Sequence, residues 1–268
     1  MGVVNVTPDS FSDGGRHPTA GTAIAHALEL VRQGADILDI GGESTRPGAT
    51  PVPEDVEIKR VAPVVAGLLE RAPAAVLSVD TRKADVAAAA LQAGAHIIND
   101  VTAGADTAMF ETVRQAGAGL VLMHMQGEPG SMQDAPHYDD VVAEVAAYLA
   151  ARAQAAQEAG VHRAAIAIDP GIGFGKSLDH NLALLAGLPR LVALGYPVLV
   201  GASRKALIAS LTQRSGDANP PSPPDRVEGS LAAHVMAVAR GAHLIRAHDV
   251  AAHWRGLHVA DAIMKGAA

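Results

Sequence analysis

Short apolar runs and helix-length segments alternate eight times along this chain of 268 residues, and no other feature constrains its fold as strongly. The runs lie at 2–4, 37–40, 75–79, 97–98, 119–123, 166–168, 198–200 and 244–245. Too short for helices and rich in Val, Ile and Leu, they read as strands buried on both faces. Helices are expected at 20–33, where Ile24, Leu28 and Val31 share a face, and at 53–71, opened by Pro53. Others are expected at 83–93, 107–116, 139–159, 179–194, 205–213 with 226–240, and 250–264. Glycine closes six of these helical stretches just before a strand, as in "QAGAH", "ALGY" and "RGAH"; it is the residue that tolerates the left-handed turn after a last helical turn. Eight consecutive strand–helix units predict an α/β protein whose parallel sheet closes as a (β/α)8 TIM barrel, in preference to an open doubly wound sheet. No shift in composition divides residues 1–268, so one domain is expected, with the Pro-rich stretch 216–225 as an exposed loop.

Composition narrows the chemistry. Apolar residues make up 49% and aromatic ones only 3%, so aliphatic side chains must fill the core, which suits layered α/β architecture. The net charge of −7, without a basic stripe, argues against nucleic acid as a partner. With no cysteine, disulfides, thiolate catalysis and cysteine-bound metals are excluded. No apolar run reaches the length of a membrane span and nothing resembles a signal peptide; a cytoplasmic protein is expected.

Each run ends in a polar residue. The first stops at Asn5, which opens the long loop "NVTPDSFSDGG"; the second carries Asp39 and leads into "GGESTRPG". The others meet Asp80, Asn99–Asp100, His124, Asp169, "GASRK" and "RAHD". In a barrel these carboxyl ends converge on one face, where the βα loops build the active site. Grouping so many polar side chains is costly unless they serve one another or a ligand. Arg46, Lys176, Arg204, Lys205, Arg246 and His248 fall in those loops and suit an anion, phosphate or carboxylate. Asp80 and Asp169 would accept the paired N–H donors of an aminoheterocycle. Mg²⁺ would suit a diphosphate, with the Asn5 amide oxygen as a ligand, whereas no His/Glu triplet is spaced for zinc.

Taken singly, several of these residues have plainer readings. Asp106, Asp179, Thr81 and Thr102 read as helix caps or turn residues. His96, His162, His180, His234, His243, His253 and His258 have no sequence neighbours that would form a site.

The segments "MGVVNVTPDSFSDGG", "DIGGESTRPGA", "SVDTRK", "IINDVTAG", "MHMQGEPGSMQ", "DPGIGFGK", "GASRK" and "IRAHDV" together resemble the dihydropteroate synthase family, in order and along essentially the whole chain. The resemblance implies a TIM-barrel enzyme of folate biosynthesis, a homodimer, joining a pterin diphosphate to p-aminobenzoate, with sulfonamides as inhibitors. It implies that Asp80, Asn99, Asp169 and Lys205 hold the pterin, that Asn5 binds Mg²⁺, and that Arg246 and His248 hold the departing diphosphate. Thr45, Arg46, Pro47, Ser203 and Phe174 would form the aminobenzoate pocket, with Phe11 and Asp13 closing over it. Arg204 would neighbour that pocket, and Met123 would pack against the pterin ring. The implied reaction is dissociative: diphosphate leaves before the aniline nitrogen attacks, and no strong general base is needed.

Two departures stand out. Met1 falls inside the first motif, where relatives carry a further segment, so a trimmed start and a less well sealed barrel bottom are expected. Ala206 is small where it follows Lys205, so packing beneath the aminobenzoate pocket is expected to differ. The rival readings are a methyltetrahydrofolate-dependent methyltransferase, which has no need of the "TRPG" loop or "SRK", and a paralogue that has lost synthase activity.

Overall fold

The eight apolar runs become eight strands in the computed structural model, which describes residues 1–7, 20–44, 49–128 and 130–266. They are β1 (Gly2–Asn5), β2 (Ile37–Gly41), β3 (Val76–Asp80), β4 (Ile97–Asp100), β5 (Gly119–Met123), β6 (Ile166–Asp169), β7 (Leu199–Val200) and β8 (Leu244–Ile245). Strands β1 to β6 pair in chain order, every pair parallel, and β7 pairs parallel with β8. Two single bridges close the ring. Ile168 pairs with Val198, its amide donating to Pro197 O at 2.9 Å, and Gly2 pairs with Ala247, whose amide donates to Met1 O at 3.0 Å. The result is the closed (β/α)8 barrel that the alternation predicts.

Side chains alternate across each strand. Leu38, Ile40, Leu77, Val79, Ile98, Leu120, Leu122 and Ile168 are fully buried and belong to the main core, together with helical residues such as Ile24, Val64, Leu68 and Leu149. The residues between them face the barrel interior. Register sets Asn5, Gly41, Asp80 and Asn99 side by side in one rung, and Val3, Asp39 and Ser78 in the rung below. Met123 stands beside Asp169 across β5 and β6.

The helices are α1 (Ala20–Arg32), α2 (Glu54–Arg71), α3 (Ala84–Gln92), α4 (Met109–Ala116), α5 (Val141–Glu158), α6 (Leu178–Ala186), α7 (Leu188–Val192), α8 (Ala206–Thr212), α9 (Val227–Ala239) and α10 (Val250–Lys265). Pro53 sits at the N-cap of α2, and Glu54, Asp55 and Glu57 in its first turn suit the positive end of the helix. The single helix expected over 179–194 breaks at Gly187, which ends α6 and starts α7, with Pro189 at the opening of α7. Ser177, and not Asp179, caps α6, in a reciprocal box with His180. Asp106 is a cap for a different helix: its carboxylate accepts from Ala84 N at the start of α3, at 2.8 Å. Residues 213–220 are exposed, as expected for the Pro-rich loop. No helix among the described residues is long and apolar enough to cross a membrane.

Candidate active site at the strand ends

Arg246, just after β8, is the centre of the pocket floor. Its Nε donates to Asp39 Oδ2 at 2.6 Å and its Nη2 to Asp80 Oδ2 at 2.9 Å. A guanidinium has five N–H groups, so three remain for other acceptors. The sequence placed Arg246 at the anion; the fold ties one edge of it to two carboxylates and leaves the rest available. Burial pushes Asp80 up to about 7, against the pull of Arg246.

Asn99 donates its Nδ2 to Asp39 Oδ2 at 3.0 Å, while its Oδ1 is buried without a hydrogen-bond partner. Asp169 is buried, accepts from Gly171 N at 2.7 Å, and has its pKa raised by burial, with Lys205 pulling the other way. Lys205 donates to Ile172 O and lies over the Phe174 ring, Nζ 4.5 Å from its centroid. Burial brings the lysine down to about 8. The barrel thus gathers a carboxylate on each side, an acceptor without a donor, and a cation against an aromatic face.

Loops support this floor. Gly171 turns with φ +67°, and a side chain there would meet His124 O, so the loop after β6 lies directly on the end of β5. Lys176 locks the same contact: its Nζ reaches His124 Nδ1 at 2.9 Å, His124 O at 3.3 Å and Phe174 O at 2.8 Å. Burial lowers Lys176 to about 7 and His124 to about 3, which keeps the imidazole neutral and able to accept. On the other side, Ser203 Oγ accepts from His248 N at 3.1 Å, with His248 Nδ1 also 3.1 Å away. Arg204, in the left-handed region at φ +60°, grips Asp249 with Nε at 2.9 Å. The "SRK" and "RAHD" loops are therefore fastened together.

Asn5 ends β1 in the same rung as Asp80, and its side chain makes no hydrogen bond with the described residues. Among the described residues no three His, Asp or Glu side chains could hold a metal between them. A lone amide oxygen fits a hard cation that takes its remaining ligands from water and a substrate anion. The donor set therefore suits Mg²⁺ carried on a diphosphate.

Phe11, Asp13, Thr45, Arg46 and Pro47 lie outside the described residues. Asn5, Asp80, Asn99, Asp169, Phe174, Ser203, Lys205, Arg246 and His248 all come to the strand-end face. Asp100 does not join the pocket: Thr102 and Gly104 amides and the Thr102 hydroxyl bind its carboxylate as a turn. Ala206 is exposed at the start of α8. His234 and His253, expected to be isolated, are buried neighbours with ring centroids 4.9 Å apart; the Ala202 amide donates to His234 Nε2 at 2.9 Å. Asp39 carries more of the floor than its position as a strand residue suggested. The sequence signal was a charged residue between Leu38 and Ile40, in phase with Gly41.

The family model of pterin binding enzymes matches residues 1–248. A curated dihydropteroate synthase of Neisseria meningitidis serogroup B is 50% identical over 269 residues, 98% of this chain and 92% of the relative. The solved Xanthomonas albilineans dihydropteroate synthase with 4-aminobenzoic acid has a TM-score of 0.92 and 52% identity, covering 100% of this chain and 93% of that one. A Yersinia pestis dihydropteroate synthase in a sulfonamide drug complex has a TM-score of 0.91 and 42% identity, covering 99% and 93%.

Proposed function

The chain belongs to the dihydropteroate synthases, transferases of folate biosynthesis within the pterin-binding enzymes, and from that premise we propose how its own side chains work. It joins 6-hydroxymethyl-7,8-dihydropterin diphosphate to p-aminobenzoate, giving 7,8-dihydropteroate and diphosphate. The observation that carries the site assignment is the floor itself: Asp80 and Asp169 as acceptors, the unpaired Asn99 Oδ1, and Lys205 beside them. A pterin edge is rich in N–H donors and carries a ring carbonyl and nitrogen that accept. Carboxylates and the amide oxygen meet the former, and the Lys205 ammonium meets the latter.

The bond from the pterin methylene to the diphosphate oxygen breaks first, and its electron pair leaves on that oxygen. The three N–H groups of Arg246 not bound to Asp39 or Asp80, with His248 on its Ser203 anchor, stabilise the charge that builds there. Asn5 would hold Mg²⁺ through its amide oxygen, and the ion, when bound, would neutralise diphosphate charge. Asp80 and Asp169 stabilise the electron-poor pterin that remains. The aniline nitrogen then bonds to the methylene carbon and gives up one proton to solvent or diphosphate. An aniline is neutral at pH 7, so the chain needs no strong base for this step.

Ser203 and Phe174 line the aminobenzoate side, and the family resemblance assigns Thr45, Arg46, Pro47, Phe11 and Asp13 to it as well. Sulfonamides compete with p-aminobenzoate for that side, in keeping with the Yersinia pestis complex. The homodimer that the family implies would have a surface in the apolar groove between α6, α8 and α9, about 390 Å³, where Leu211 and Met236 are exposed. Leu211→Glu should then shift the sedimentation coefficient to that of a monomer.

The experiment that tests the reading supplies purified protein with the pterin diphosphate and Mg²⁺, with and without p-aminobenzoate. Diphosphate release with formation of dihydropteroate is expected. A folded protein that yields neither overturns it.

A further inference from the structure

We propose that Asp39, one rung beneath the pocket, decides which end of the Asn99 amide the pocket meets and makes Asn99 an acceptor. The inference rests on the reading that Asn99 contacts the pterin. Asp39 is fully buried. Its Oδ1 takes the Ser78 hydroxyl at 2.6 Å; its Oδ2 takes Asn99 Nδ2 at 3.0 Å and Arg246 Nε at 2.6 Å. A carboxylate can only accept, so a neighbouring primary amide must turn its nitrogen toward it and its oxygen away. The oxygen so turned is Asn99 Oδ1, buried and unpaired. A buried acceptor without a donor is costly, and a ligand N–H removes that cost on binding. With the amide reversed, its NH2 would face a ring edge that offers N–H groups, donor against donor. Asp39 is thus a positioning residue that acts through Asn99, and the same oxygen holds Arg246 in place.

The test is calorimetric binding of 6-hydroxymethylpterin, which has no leaving group, to the full chain and three variants. Asn99→Ala reports whether Asn99 meets the pterin at all. Asp39→Ala removes the acceptor that turns the Asn99 nitrogen away from the pocket, and should weaken binding roughly 10- to 100-fold. The double variant Asp39→Ala with Asn99→Asp keeps the net charge of the cluster, and a carboxylate at 99 has no nitrogen to turn into the pocket. It should recover about tenfold or more of the loss, which a merely structural role for Asp39 would not produce. If Asn99→Ala weakens binding and a folded Asp39→Ala does not, the role of Asp39 is overturned and the Asn99 contact stands. If neither weakens binding, the pocket reading falls and this inference with it. A double variant no better than Asp39→Ala also overturns the proposal. Should Asp39→Ala not fold, hydrogen exchange of the Asn99 side-chain NH2, followed by NMR in the unaltered chain, decides the point. Protection before pterin is added is expected; protection that appears only with pterin overturns the proposal.

Discussion

At the scale of single residues, the pocket depends on how burial sets charge. Asp169 gives one oxygen to Gly171 N, and on the proposed reading the other meets the pterin. Asp169→Asn leaves the shape intact but lets an NH2 face the ring, so pterin affinity should fall roughly 10- to 100-fold by calorimetry with the circular dichroism spectrum unchanged. Lys176 gives a pH dependence with a definite sign. Its pKa falls from the ordinary 10.5 to about 7 through burial, so between those values the unfolded chain holds a proton that the folded chain does not. Raising the pH through that window favours the fold, and below about pH 7 the cost of the buried charge is felt in full. The melting temperature of Lys176→Met should therefore gain less between pH 7 and 9.5 than that of the unaltered chain, by roughly 5–10 °C. Asp80 works in the opposite sense: raised to about 7, it lowers stability as pH climbs from about 4 to 7.

At the scale of elements, two glycines separate site from scaffold. In the loop after β6, Gly171 has φ +67° and no room for a Cβ against His124 O. Gly171→Ala must move that loop off β5, taking Asp169's amide donor, Phe174 and Lys176 with it. Pterin binding should fall at least about tenfold, read by titration calorimetry on folded protein. Between α1 and β2, Gly34 has φ +98° and its Cβ would meet the Trp254 indole on α10. Gly34→Ala should cost roughly 1–3 kcal/mol in a denaturant titration while leaving pterin affinity within twofold, because that turn lies at the opposite end of the barrel. Gly34 reads as a helix stop and Gly171 stands in the loop after a strand, but only the fold tells a site glycine from a packing glycine.

At the scale of the whole molecule, the barrel is unevenly closed. The β1–β6 sheet has continuous ladders, whereas one bridge on each side joins β7–β8 to it, and both residues of β8 are only half-buried. Openings that need few broken contacts occur first. Native-state hydrogen exchange should therefore find the Ile168, Ala247 and Val3 amides less protected than those of Val79 or Ile98. Equal protection around the ring would contradict this. Arg246 and His248 follow β8, so this easier opening lies on the side that carries the residues proposed to bind the diphosphate.

Much of this was written in the chain itself. The eight strands, the barrel and the polar residues at its strand ends follow from a period of two inside short apolar runs and from helices stopped by glycine. Those signals act over a few residues and need no partner to be read. Asp80, Asn99, Asp169 and Lys205 were legible for the same reason, each standing where an apolar run gives way to a loop. Tertiary structure alone decided the rest. Asp39 acquires its part from Ser78, Asn99 and Arg246, which are 39, 60 and 207 residues away. Which oxygen of Asn99 stays unpaired, how much of Arg246 remains for an anion, and that His234 and His253 share a buried site follow from closing the ring. Hydrogen-bond direction and burial are properties of neighbours in space, and a linear pattern names the groups without saying which of them will meet.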